Sequence, residues 1–195
     1  MAITKMSNSG IASTGSEKYN DMLAGNPPFI PTAWDSIATV TSSSTSLTFS
    51  SIPSTFKHLQ IRYVARTNTG AALFMQFNGD SANNYAWHFM RGNGSNLSAF
   101  GYASQGQIGV SLPDNGIGVN QLSTGVIDII DYQSTTKNKT TKTFCGLSTN
   151  TSSGNEVSVQ SGLWRSTSAI NSITIYSNGG SWTSASQFAL YGIKG

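Results

Sequence analysis

Residues Phe77–Gly94 read FNGDSANNYAWHFMRGNG. As a list of residue types this stretch resembles an active site, with an aspartate, a histidine, an arginine and a tryptophan close together. Its periodicity says otherwise. Asn78-Gly79-Asp80 and Gly92-Asn93-Gly94 are turn signals. Between them Tyr85, Trp87, Phe89 and Arg91 fall on one face of a strand, and Ala86, His88 and Met90 fall on the other. His88 therefore points away from Trp87 and Arg91, and the apparent cluster separates. The stretch predicts a strand between two turns that packs Tyr85, Trp87 and Phe89 into a core.

The same period of two recurs along the chain. In HLQIRYVAR, Leu59, Ile61, Tyr63 and Ala65 alternate with Gln60, Arg62, Val64 and Arg66, which predicts a strand with one buried face. WDSIATVT sets Ile37 and Thr39 against Ala38 and Val40, and a serine-rich turn then leads to SLTF. ALFMQFN alternates less cleanly and suits burial on both sides. AFGYAS and GQIGVSL are short and broken by glycine. GVIDIIDY sets Ile127, Ile129 and Asp131 against Asp128, Ile130 and Tyr132. KTTKTFCGL, EVSVQSGLW, INSITIYS and SQFALYGIK complete about ten to twelve short strands separated by turns. The predicted fold class is all-β, an antiparallel β-sandwich of jelly-roll-like type over residues 34–195. No fixed repeat and no heptads are visible, which argues against a propeller, a β-helix or a coiled-coil shaft.

Residues 1–33 read differently. The first thirteen are polar, with isolated apolar points, and suit an extended arm. Thr14-Gly-Ser-Glu17 matches a capping box, in which the Thr hydroxyl and the Glu carboxylate satisfy free N–H groups. Tyr19, Met22 and Leu23 follow at i, i+3 and i+4, and Gly25 suits a helix end. This predicts one short helix at about residues 15–24, too short to be stable unpacked. The prolines of NPPFIP stiffen the link that follows. The segment has apolar anchors in Tyr19, Met22, Leu23 and Phe29, but too few apolar residues for a core of its own. It is expected to anchor the protein to a neighbour.

The composition limits the chemistry. Only 10% of the 195 residues are charged, against about 25% in an average soluble domain. Serine, threonine, glycine and asparagine are abundant, which suits strands and turns and disfavours helix. The net charge of +3 and pI of about 9.1 reflect a small imbalance. Lys137, Lys139 and Lys142 form the one local basic cluster, without interleaved aromatics, so a solvated strand end rather than a nucleic-acid groove is expected. The single cysteine, Cys145, excludes an intrachain disulfide and reads as a small buried hydrophobe. No segment suits a signal peptide or a membrane span, so an origin without Sec export is expected.

A Ser–His–Asp triad needs a histidine held between a nucleophile and a carboxylate. His58 and His88 are the two candidates, and no G-x-S-x-G elbow accompanies them. Asp128 and Asp131 are the most suggestive carboxylate pair for a glycosidase, but three residues apart on a strand they face opposite sides. Asp128, if buried, needs a partner, for which Arg62, Arg66 and Arg165 are candidates. The loop Asn78–Asn84 offers Asn78, Asp80 and Asn83 as oxygen ligands for calcium, against the simpler reading of a turn held by Asx hydrogen bonds. Two histidines and one cysteine show no metal-ligand spacing. No cofactor and no enzymatic activity are expected. Aromatic side chains also stack on sugars, and Trp182, in the loop-like NGGSWTSAS, is the candidate for an exposed glycan contact.

Several stretches carry a resemblance over nearly the whole chain: YNDMLAGNPPFIP with WDSIATV, TFSSIPSTFKHLQIRYVAR, FNGDSANNYAWH, VIDIIDY, SGLWRSTSAINSITI and the terminal FALYGIKG. They resemble virion structural proteins of tailed bacteriophages, especially phages of aquatic bacteria. The most specific parts are Ser50–Arg66, Ser161–Ile175 and Phe188–Gly195. The resemblance implies a place on the virion, after assembly in the host cytoplasm, and a β-rich fold, and it supplies no catalytic residues. It agrees with a capsid decoration, cement or head-fibre protein that grips a major capsid protein or tail component through residues 1–33. A tail-fibre or receptor-binding module for host surface glycans is the alternative. A symmetric homo-oligomer, for instance a trimer, would bury exposed sheet edges.

Overall fold

The computed structural model describes residues 33–110, 121–148 and 155–195. The expected short helix at 15–24 and the anchor residues Tyr19, Met22, Leu23 and Phe29 lie outside the described residues. Ala33–Gly195 form one compact unit. Within it the regular elements are twelve strands: β1 (Trp34–Thr41), β2 (Ser46–Phe49), β3 (His58–Ala65), β4 (Leu73–Phe77), β5 (Tyr85–Gly92), β6 (Leu97–Gln105), β7 (Ile108–Val110), β8 (Ser123–Ile130), β9 (Lys139–Leu147), β10 (Glu156–Trp164), β11 (Ile173–Ser177) and β12 (Gln187–Ile193).

The strands form two antiparallel sheets. The large one has eight strands in the order β1-β12-β3-β8-β9-β10-β5-β6, and the small one has four in the order β2-β11-β4-β7. The pairings nest. β1 pairs with β12, β2 with β11, β3 with β8 and β4 with β7. Two further pairings, β12 with β3 and β11 with β4, close the sheets. The hairpins β5–β6 and β9–β10 are inserted between β4 and β7 and between β8 and β11. Both add to the large sheet, so that sheet is twice as wide as the one facing it.

The core lies between the sheets, as the alternation predicts. Leu59, Ile61, Tyr63 and Ala65 of β3 are all buried, and they meet Leu73, Met75 and Phe77 of β4 and Ile173 and Ile175 of β11 in one apolar cluster. The outward residues of β4 are half-buried, so that strand alternates rather than being buried on both faces. Gly125 of β8 stands opposite Tyr63. A Cβ there would come within 2.5 Å of the Tyr63 ring, so the glycine makes room for the tyrosine to lie across the strand.

Four expectations need correction. In β1 the register shifts between Ser36 and Ala38, and this bulge turns both Ile37 and Ala38 toward the core. After β8, Asp131 takes φ +49°. The strand therefore ends at Ile130, and Tyr132 turns inward to full burial among Ile127 and Ile129 instead of continuing on the Asp128 face. In β5, Tyr85 is fully buried and Trp87 packs on the edge of the core, but Phe89 lies outside it, because the small sheet ends at β7. AFGYAS is not a glycine-broken fragment: β6 runs nine residues, and β7 follows as a separate short strand.

Candidate functional site

In the loop proposed for calcium, the side chains of Asn78 and Asp80 are engaged by protein groups. Asn78 has φ +53°. Its Oδ1 accepts the backbone amides of Asn171 and Ser172 at 2.9 and 3.1 Å, and its Nδ2 donates to the Ala169 carbonyl at 2.8 Å. Asp80 Oδ1 accepts the Ala82 amide at 2.9 Å, while its Oδ2 accepts Asn84 Nδ2 at 3.0 Å and Trp164 Nε1 at 2.7 Å. Burial works to raise the Asp80 pKa, but these three donors outweigh it and hold the carboxyl below its ordinary value. The Asn83 carbonyl accepts Arg165 Nη2 at 2.7 Å. The oxygens of Asn78 and Asp80 thus face protein donors; Asp80 makes the local Asx bond to Ala82, while Asn78 ties the turn to residues 169–172 across the fold. Among the described residues no group of three or more His, Cys, Asp or Glu side chains is placed to hold a metal ion.

Among the remaining titratable candidates, His58 and Asp131 also hold a turn. His58 Nδ1 accepts the Asp131 amide at 3.0 Å and so supports that positive-φ residue. Asp131 lies between Lys137 at 2.9 Å and Lys57 at 3.4 Å. The hydrogen bond from Lys137 is the main cause of its lowered pKa. Asp128 accepts Gln60 Nε2 at 2.7 Å, and Gln60 Oε1 in turn accepts Arg62 Nε at 2.8 Å. Of the three arginines proposed for Asp128, Arg62 reaches it, through a glutamine the sequence did not suggest. His88 is exposed on the outer face, and its imidazole lies over Gly101. Cys145 is buried, with its Sγ 2.9 Å from Ser158 Oγ.

Two expectations about exposure are overturned. Trp182 is not a surface platform: it is 2% exposed and lies 4.7 Å from Phe188. The loop folds back on the core because Trp182 bridges to Thr67 and its amide donates to the Ser44 carbonyl at 3.0 Å. Lys139 is not part of a solvated basic cluster. It is fully buried, and its Nζ donates to the carbonyls of Ser134, Lys137 and Thr167 at 2.7, 2.8 and 3.2 Å. The ammonium holds the turn after β8 against the loop after β10. Burial draws its pKa down.

What the structure does assemble is an aromatic ladder on the overhanging hairpin. Trp87 stands opposite Tyr102, and Phe89 stands opposite Phe100. Trp87 stacks on Tyr102 at 4.2 Å, Phe89 on Phe100 at 5.1 Å, and Trp87 on Phe89 at 5.6 Å. Phe100 and Tyr102 remain 48% and 40% exposed, and among the described residues the small sheet ends at β7, short of them. Beside the ladder a cleft of about 180 Å³ opens toward the end of β7, lined by Trp87, Phe89, Arg91, Gly109, Val110 and Gln160. The Trp87 Nε1–H has no acceptor among the described residues, and the Arg91 guanidinium bonds Glu156 at 3.3 Å. The sequence showed the β5 half of this ladder. It did not show that β6 pairs in register to complete it, nor that the ladder is left uncovered.

In comparisons with known proteins, no family model matches the chain, and no curated protein matches it significantly.

Proposed function

We propose that this chain is a non-enzymatic structural protein of a tailed-phage virion, a capsid decoration or cement protein or a head fibre. Residues 1–33 anchor it to a major capsid protein or tail component, with Tyr19, Met22, Leu23 and Phe29 as the apolar contacts. The two-sheet body stays exposed. The observation that supports this most is the nesting of the strand pairs. With the two inserted hairpins removed, the orders β1-β12-β3-β8 and β2-β11-β4-β7 are those of a long antiparallel hairpin rolled into two four-stranded sheets. We read this order as jelly-roll-like, an architecture of viral capsid and lectin domains. The roles of the polar residues agree, since Asp80, His58, Asp131 and Lys139 are engaged in holding turns. The test is a density map of the intact virion with this chain traced. Density on the capsid lattice, with residues 1–33 between shell subunits, is the expected result. A virion without the chain would end this reading.

The aromatic ladder favours a second reading, a receptor-binding module for host surface glycans. Stacked aromatic faces beside a small cleft with polar edges suit the C–H faces and hydroxyls of a neutral sugar. Titration of tryptophan fluorescence with host polysaccharide tests it. Saturable quenching that is lost in Trp87→Ala supports it, and density at the tail alone would make it the leading reading.

A further inference from the structure

We infer that the outer face of the β9-β10-β5-β6 half-sheet is the seat of a second copy of this chain. Nine large apolar side chains are exposed among the described residues, and seven of them lie on these four strands. Two belong to the aromatic ladder. The other five, Phe144, Val157, Val159, Met90 and Leu97, share the opposite, outer face, at 55%, 49%, 43%, 57% and 83% exposure. The register makes them one patch. Phe144 pairs with Val159, Val159 with Met90 and Met90 with Ala99, so one apolar row crosses four strands. In the neighbouring row Val157 pairs with Gly92, and Gly92 with Leu97. An ordinary solvated sheet face carries polar side chains at such outward positions.

The occupant follows from the size and self-complementarity of the patch. The five side chains expose on the order of 500 Å² of apolar surface, enough for the centre of an interface of about 800 Å² per partner. The flanking row carries Asp128 beside Lys142 in direct cross-strand register. A two-fold related copy stacked on this face brings the apolar rows of β9, β10, β5 and β6 together and leaves the polar row with Asp128 and Lys142 at the rim. An interface of that kind is self-complementary, as isologous contacts must be.

This interface does not depend on the virion reading, and the isolated full-length chain tests it. Sedimentation of the wild type across a concentration series is expected to show reversible self-association. The double variant Met90→Lys with Val159→Lys should weaken it at least about tenfold, because it buries like charges at the apolar centre. Trp34→Lys, an exposed aromatic on the opposite edge of the sheet, should leave association unchanged. Residues 1–32 are intact in all these variants, so any loss is not theirs. If the double variant fails to fold, the wild type still answers through oxidation of Met90. Its oxidation should be slow at high concentration and fast on dilution. A monomer at every concentration, association that survives the double variant, or Met90 oxidation independent of concentration would each overturn the inference.

Discussion

Trp164 Nε1 donates a 2.7 Å hydrogen bond to Asp80 Oδ2, joining the last residue of β10 to the turn after β4. The tryptophan is buried, so the carboxylate is its link between the large sheet and the small one. Asp80→Ala removes three hydrogen bonds and leaves the indole N–H without an acceptor. The expected cost is about 2–3 kcal/mol, read as a lower denaturant midpoint. Asp80→Asn keeps an acceptor for the indole and should cost less.

The same carboxyl sets an acid limb. Its pKa is held low in the folded state, as is that of Asp131. The unfolded chain therefore binds protons more tightly. The stability these groups contribute is complete above the unfolded value near 3.9 and is lost as pH falls through the lower folded values. Melting temperature measured from pH 7 downward should fall below about pH 4, and less steeply in Asp80→Asn.

An alkaline limb should mirror it. The Tyr85 hydroxyl accepts the Phe77 amide at 3.0 Å and donates to the Asp80 carbonyl at 2.9 Å. Burial, more than any neighbour, pushes its pKa up to about 12. The contribution of the protonated phenol is complete below the unfolded value near 10 and is lost as pH rises toward 12. Tyr85→Phe should be less stable at neutral pH and should lose less stability across that window.

Lys139 offers a test of a buried cation without a carboxylate among its hydrogen-bond partners. Lys139→Met keeps the stem but leaves three carbonyls without their donor. A loss of roughly 2 kcal/mol or more is expected, with increased amide exchange in the turn 131–138. Lys139→Arg should not restore it, because a fully buried site shaped for a compact ammonium has no room for a planar fork.

Gly125→Val should be among the costliest single changes. The new side chain would occupy the space of the Tyr63 ring, and overpacking of that kind costs about 1–3 kcal/mol. The pair Gly125→Val with Tyr63→Ala should be less destabilised than the sum of the single changes, which a double-mutant cycle measures.

The sequence by itself determined what depends on the pleat. Successive side chains of a strand point to opposite faces, so HLQIRYVAR alone assigned Leu59, Ile61, Tyr63 and Ala65 to the core, and YAWHFMR alone separated His88 from Trp87 and Arg91. Such alternation is a local steric property, and it survives any choice of neighbouring strand. Tertiary structure decided the rest. The pairing of β1 with β12 joins opposite ends of the domain, and no local pattern encodes it. A left-handed residue at Asp131 turned Tyr132 inward, and a bridge to Thr67 drew Trp182 out of the solvent. Most consequentially, both inserted hairpins joined the same sheet. Coverage of a face depends on how many strands stand opposite it, so only the assembled sheets could leave Phe100 and Tyr102 bare on one side and Phe144 and Met90 bare on the other.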